Sequence, residues 1–486
     1  MRPQAGLMKN HLVQAVDRAR HGFKRTRSGS VSRTPLVLIP PELWISIFSY
    51  LSSPADIRAA TLTCQNFRQC AQPLLFAKIF THPAPPSLAL RGLQPNKYRR
   101  RTSQRLEFFL SPLIAPAVRE CWIDPPSPED EDVPTDVLID AIFAGLEKFP
   151  NLRVLGCRSI RLTLMRLAVL QRLSLSTITL DSCQSDLVDC PDSPPTPATP
   201  LNSVTFKYSD PQEESLRPLL SFFLSPRHLQ RLTATTTRVL SAIARSSRPF
   251  SRLHQLELSV DCLLSDTLVP ALSRCPALER ITILPNPDSA LPRSRTLPAL
   301  PASLLPNLKL YRGPRNYAAH FARATRQLQT VEVSIPTKVH RLIRTLTQVP
   351  GDTLDYLSFR LDEPAPTSLL TSVHRLCPAL RTLSMNDPPV AHSHLHALLS
   401  QSAPHLSLRA FRVRVEGRDR YNLWVPPTEE AADAIECFRR VHAELKRVYP
   451  NLFTLKIMYG VEGQSVVWRR SGGELVQMTQ VAQASV

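Results

Sequence analysis

Glycine is scarce in this chain, 13 residues in 486. The sequence contains no glycine-rich phosphate loop, no G-x-S-x-G elbow and no H-E-x-x-H pair, so the loops that build nucleotide hydrolysis, serine catalysis or zinc proteolysis have little to be made from. No run of eighteen apolar residues occurs, which argues against a membrane-spanning helix, and no secretory signal is present. The ten cysteines include no C-x-x-C pair and no Cys/His cluster at zinc spacing. Several sit beside apolar repeat positions, as in Cys275-Pro276-Ala277-Leu278 and Leu376-Cys377-Pro378-Ala379-Leu380. Buried, reduced thiols in a nuclear or cytoplasmic protein are expected. His392-Ser393-His394-Leu395-His396 alternates at i and i+2, positions that diverge on a helix. It is read as the start of a surface helix after Pro388-Pro389 rather than as a metal site. A non-catalytic protein without a cofactor or metal is expected.

Acidic residues are also few at one end. Residues 1–105 hold 17 Lys and Arg against three acids, which leaves 42 against 37 in the rest. The formal charge of +19 therefore comes from two basic runs, not from a charged face on the protein's body. The first, Arg18-Ala19-Arg20-His21-Gly22-Phe23-Lys24-Arg25-Thr26-Arg27, is expected to be a solvated arm, with a nuclear import signal or a nucleic-acid contact as the sharper alternative. The second, Lys97-Tyr98-Arg99-Arg100-Arg101, follows a proline-rich linker, and Tyr98 alone gives no stacking platform for single-stranded nucleic acid.

Between these runs, residues 39–76 have apolar positions at helical spacing and punctuation where helix ends need it. Pro40 and Pro41 suit a first helical turn, and Glu42 places negative charge at the positive end of the dipole. Leu43, Ile47 and Leu51 fall on one face. Ser53-Pro54-Ala55-Asp56 reads as an N-cap, a proline at N1 and an acid at N3 for a second helix, with Ile57, Ala60, Leu62 and Cys64 as its apolar face. Asn66 is expected to cap a third helix, which Pro73 bends or ends before Leu74, Leu75 and Phe76. Forty residues in three short helices bury too little to be secure alone, so a partner is expected. The pattern Ile39-Pro40-x-Glu42-Leu43-x-x-x-Ile47-Phe48-x-x-Leu51, then Asp56-Ile57, Cys64 and Phe67, resembles an F-box. Ile39 stands for the usual leucine, and Gln65-Asn66-Phe67 where a basic and an aromatic residue are common. The resemblance implies binding to a Skp-type adaptor and, through it, to a cullin complex. It makes Pro40, Leu43, Ile47, Phe48 and Leu51 adaptor-facing or core positions, and Ile57, Leu62, Phe67 and Leu75 helix-packing ones.

Beyond the acidic, proline-broken stretch at 124–140, one pattern returns: an apolar residue, two others, an apolar residue, one other, an apolar residue. Its copies are Leu152-x-x-Leu155-x-Cys157, Leu170-x-x-Leu173-x-Leu175, Leu201-x-x-Val204-x-Phe206, Leu229-x-x-Leu232, Leu253-x-x-Leu256-x-Leu258 and Leu278-x-x-Ile281-x-Ile283. A degraded copy near Leu308 follows, and the pattern resumes at Leu328, Leu354, Leu380, Leu408 and Leu452. Alternation makes each core a short strand, and the intervals leave room for one helix, so a strand-helix solenoid similar to irregular leucine-rich repeats is expected. The residues between the buried ones would face a partner protein: Arg153, Lys207, Arg231, Gln255, Glu257, Arg280, Glu332, Asp355, Arg381, Arg412, Arg414 and Lys456. They are mixed in sign, which suits ionic pairing with a protein rather than a polyanion. Ser193, Thr196 and Thr199 each precede proline in an exposed loop, where an ordinary loop reading is preferred to a phosphorylation one.

The sequence thus predicts an α/β chain: a basic tail over 1–35, a three-helix F-box over 36–80, a linker with first helices over 81–140, and a solenoid over 141–486 with proline-rich insertions at 184–200 and 285–306. Its expected role is the substrate-recognition subunit of a cullin-based ubiquitin ligase, holding an adaptor at one end and an unidentified protein substrate on the repeats. The alternatives are a basic-tailed chromatin- or RNA-associated scaffold, and an F-box scaffold without a ligase role.

Overall fold

The computed structural model describes residues 39–81 apart from Ser52, 103–124, 135–185, 200–208, 217–285, 298–390, 392–415, 440–459, 464–471 and 474–482. The basic tail, the 97–101 run and most of both proline-rich insertions lie outside the described residues. Those described fall into two compact units, one within Asp17–Leu253 and the other within His254–Val486.

The first unit opens with three short helices, α1 (Pro41–Phe48), α2 (Pro54–Thr61) and α3 (Gln65–Leu75). Pro40 is the extended N-cap of α1 and Glu42 lies in its first turn. The Ser53 hydroxyl accepts from the Ala55 N–H at the start of α2. Cys64, not Asn66, caps α3: its sulfur accepts from the Phe67 N–H, and Pro73 lies inside the last turn without ending it. A proline there removes one intrahelical N–H only, and the helix has just two residues left to run. The core is small, with Phe48, Cys70 and Ala71 buried among Trp44, Ile47, Leu51, Ile57, Ala60, Phe67 and Leu74. Trp44 holds it together, its ring 4.5 Å from Phe67 and 5.6 Å from Phe48.

After Phe76 and Ala77 the chain enters β1 (Lys78–Thr81), the first rung of a parallel sheet. β1 pairs with β2 (Glu120–Ile123), β2 with β3 (Val154–Arg158), then β5 (Thr177–Asp181), β7 (Ser203–Lys207) and β8 (Arg231–Ala234). A separate two-stranded ladder joins β4 (Arg161–Leu162) to β6 (Gln184–Ser185). Two of these strands precede residue 141: β1 begins at the end of the stretch read as the F-box, and β2 lies in the stretch read as linker. One copy of the pattern is also misplaced. Leu170 lies in α6 (Leu164–Arg172), and the strand uses Ile178 and Leu180 instead, both fully buried. The copy is therefore Leu175-x-x-Ile178-x-Leu180, five residues on.

The helices of this unit are α4 (103–109), α5 (Thr135–Leu146), α6, α7 (Arg217–Phe223) and α8 (Thr237–Arg245). Arg166 of α6, 2% exposed, turns its side chain to α5. Its guanidinium reaches Asp136 at 2.9 Å, Asp140 at 2.7 Å and the Arg161 carbonyl at 2.5 Å.

The second unit repeats the design: β9 (Gln255–Ser259), β10 (Arg280–Leu284), β11 (Leu310–Gly313), β12 (Thr330–Val333), β13 (Tyr356–Phe359), β14 (Thr382–Val390), β15 (Ala410–Val415) and β16 (Thr454–Tyr459) form a parallel ladder. In the copy near Leu308 the last apolar position is Gly313, at φ +154° with no room for a side chain against Ile283, which is why the pattern fades there. The parallel order stops at β16. β17 (Gln464–Ser471) and β18 (Glu474–Ala482) add antiparallel, which ends the expectation of repeats to the C-terminus. Helices of this unit include α9 (Val260–Leu263), α10 (Leu268–Ser273), α11 (Arg315–Ala324), α12 (Val339–Leu346), α13 (Leu369–Leu376), α14 (His392–Ser400) and α15 (440–448). His394 in α14 bonds the Ala365 carbonyl at 2.5 Å. The eight described cysteines are free, and all but Cys64 are buried.

A buried histidine pair gives this unit a pH dependence. The rings of His374 and His405 lie 4.4 Å apart, with His374 Nε2 3.2 Å from the Tyr449 hydroxyl and His405 Nε2 donating to the Cys377 carbonyl at 3.3 Å. Among the described residues neither Nδ1 has a partner, so an added proton would be buried without an acceptor. Burial, and then His405, pushes the His374 pKa down to about 3; burial lowers His405 too, against the bond to Cys377. Below the unfolded value of about 6.5 the unfolded chain binds protons that the folded one refuses, so stability is complete above that pH and is lost as pH falls toward 3. Chemical denaturation at pH 5 is expected to give a stability about 2 kcal/mol below that at pH 7 from His374 alone. His374→Phe, which keeps a ring against Tyr449, should flatten the difference; an equal slope in that variant would refute the assignment.

Candidate functional site

Two kinds of surface stand out. On the helices, Leu43 is 55% exposed, Ile45 and Tyr50 are exposed as well, and Leu62 is 72% exposed. Ile47, Leu51, Ile57 and Phe67 are half-buried against Phe48. Leu75 is half-buried and Pro40 exposed. The structure thus separates Phe48, in the core at 2% exposed, from Leu43, more than half exposed. It corrects Leu62, which follows the last turn of α2 as its C-cap and points away from the packing, and Cys64, which is exposed at the head of α3. Leu62, Cys64, Arg68 and Gln72 line an open groove of about 480 Å³. The periodicity reading passed over Trp44, although its place four residues before Phe48 was a signal. Exposed apolar side chains on a domain with so small a core mark a surface that a partner covers.

On the strands, burial alternates as the pattern requires, and the outward side chains sit opposite the buried leucines. In the first unit Arg153 donates to the Ser174 carbonyl at 3.0 Å, while Lys207 and Arg231 are exposed. In the second, many outward charges neutralise one another across strands. Arg381 is 3.3 Å from Asp355, Arg312 is 3.5 Å from Glu332, and Lys309 is 3.0 Å from Glu279. Lys309 and its hydrogen bond hold the Glu279 carboxyl below its ordinary pKa. Gln255 donates to Glu257 at 2.8 Å, and Arg280 is exposed. Arg412 and Lys456 lie side by side in register on β15 and β16. Exposed pairs of this kind add little stability, so their value is in setting a charge pattern. Lys309 and Arg312 belong to the faded copy near Leu308, and Glu279 to the regular copy from Leu278, where Arg280 alone is expected to face outward.

The first two strands carry an aromatic shelf. Trp122 stacks on Phe80, Lys78 sits 5.1 Å from the Phe80 ring and 2.8 Å from Glu120, and the indole N–H donates to Glu120. Trp122 lies over Gly156, where a Cβ would come within 2.2 Å of the indole. Gly156→Ala should lift the indole off the sheet, with a red-shifted emission and about 1–3 kcal/mol lost from this unit. Unchanged tryptophan emission would show that the shelf is not held by Gly156.

The chain is similar to one family model and to a number of solved structures, two of which follow. The F-box-like family matches residues 36–82. No curated protein matches the sequence. Among solved structures, a TLR13–ssRNA13 complex is 13% identical with a TM-score of 0.30, covering 62% of this chain and 39% of that one. This chain thus spans about two fifths of the length of that neighbour. The Rad7–Elc1 complex of yeast is 13% identical with a TM-score of 0.32, covering 84% of this chain and 94% of the other. Among the described residues no helix is long and apolar enough to cross a membrane.

Proposed function

With residues 36–82 an F-box-like domain, we propose that this chain is the substrate-recognition subunit of a cullin-based ubiquitin ligase. The three helices bind a Skp-type adaptor, and the outward strand faces bind a protein substrate. The observation that carries this reading is the family match on helices whose side chains Leu43, Ile45 and Tyr50 are left exposed. What the chain contributes is proximity, holding a substrate where ubiquitin transfer takes place, and not chemistry of its own. Its free thiols suit the cytoplasm or nucleus. Co-purification of the full chain from cells tests it. The adaptor and the cullin are expected among the bound proteins at moderate salt; nucleic acid that dissociates between about 50 and 200 mM salt, without an adaptor, would overturn the reading in favour of a basic-tailed scaffold.

A further inference from the structure

Several outward charges of the second unit have a partner within the sheet, but among the described residues Arg412 and Lys456 have no carboxylate partner. The two are neighbours in register, about 4.8 Å apart from strand to strand. They stand on the face opposite Phe411, Val413, Leu455 and Ile457, all buried. Among the described residues no carboxylate pairs with either, whereas Arg381, Arg312 and Lys309 each have one. Lys456 is half-buried, and burial together with Arg412 lowers its pKa. On the same rung of β14 stands Ser384, 3% exposed and spent on Asn386. Like charges side by side on a sheet are destabilising, so the fold leaves this pair awaiting an anion from outside. At the foot of the same strands, next to exposed Arg409, Phe453 is 55% exposed.

We propose that Arg412 and Lys456 hold an acidic segment of the protein partner, Asp or Glu side chains flanked by an apolar residue set on Phe453. The proposal rests on reading the repeats as the partner-binding surface. The planar guanidinium takes a carboxylate with two parallel bonds, and the ammonium reaches the same or the next one. A nucleic acid fits less well, because two unpaired cations are few beside the six to ten phosphate contacts such binding commonly uses.

Zero-length carbodiimide coupling of hexaglutamate to the full chain, read by mass spectrometry, tests this. Lys456 is expected to couple ahead of the exposed Lys148, and Arg412→Glu should cut coupling at Lys456 about tenfold while leaving Lys148 unchanged. Lys456→Met should raise the melting temperature by about 2 °C, because it removes the like-charge contact, which separates a binding role from a structural one. Coupling at Lys456 no greater than at Lys148, or a wild-type yield in Arg412→Glu, overturns the proposal. So does loss of the hexaglutamate coupling at Lys456 when an equimolar twelve-residue oligothymidylate is added, which would assign the pair to nucleic acid. The ligase reading fails separately, by absence of the adaptor from the co-purified proteins whatever happens at Lys456.

Discussion

A Leu43→Asp/Ile47→Asp chain is expected to keep the proteins bound to its strands and to lose the Skp-type adaptor and the cullin together. Buried apolar anchors at the centre of an interface commonly cost about 2 kcal/mol each when removed, so the double change should weaken adaptor binding on the order of a thousandfold. The two positions differ in what else they do. Leu43 is 55% exposed and lies outside the helices' core cluster. Leu43→Asp alone should therefore lose about thirtyfold in adaptor affinity with no change in denaturation. Ile47 packs on Phe48, and its aspartate variant weakens the helices as well. Phe48→Ala provides the opposite control: it empties a small core and should cost the helices about 3 kcal/mol or more, losing the adaptor through unfolding. A Leu43→Asp chain that binds adaptor like the wild type would remove this face from the interface.

The second large effect is an asymmetry around Arg166. Its guanidinium is 2% exposed while the side chains of Asp136 and Asp140 are 67% and 60% exposed. Asp136→Asn/Asp140→Asn strands a buried cation without its counter-charges and is expected to cost about 3 kcal/mol. Arg166→Met removes the buried charge and fills much of the same volume, and the two carboxylates return to water, so it should cost under about 1.5 kcal/mol. Removing two surface acids is thus expected to do more harm than removing the buried base. Chemical denaturation of the two variants decides it, and the reverse order of stabilities would mean that Arg166 acts chiefly through packing.

What could be read in the sequence and what could not divide along physical lines. The strands were legible because leucine, isoleucine and valine alternate on a two-residue period, and the buried residues from Leu152 to Ile457 fall where that period puts them. At Leu170–Leu175 it failed because a leucine-rich helix end imitates the pattern; only the alternation through Ile178 and Leu180 distinguishes the strand. β2 went unseen because Val118, Cys121 and Ile123 include no leucine. The Cys64 cap was missed because a thiol is a poor acceptor and asparagine a good one, yet the backbone placed the sulfur 3.4 Å from the N–H that needs it. Arg166 was invisible, since nothing local marks a basic residue as buried until α5 brings its two acids alongside. The outward set was legible residue by residue, but its cross-strand pairing depends on register, which single strands do not encode.

Only Phe76 and Ala77 separate α3 from β1, and the Ala77 carbonyl accepts both the Arg119 and the Glu120 N–H, at 2.8 and 2.9 Å. The junction is a splice and not a tether. A floppy connection of two dozen residues would let a docked helical module wander over tens of ångströms, diluting whatever the strands carry. Here the orientation of the edge strand is inherited from the helix before it, so anything that clamps the helices also aims the sheet. A glycine-serine stretch inserted after Phe76 would leave every contact surface intact and spoil only the aim.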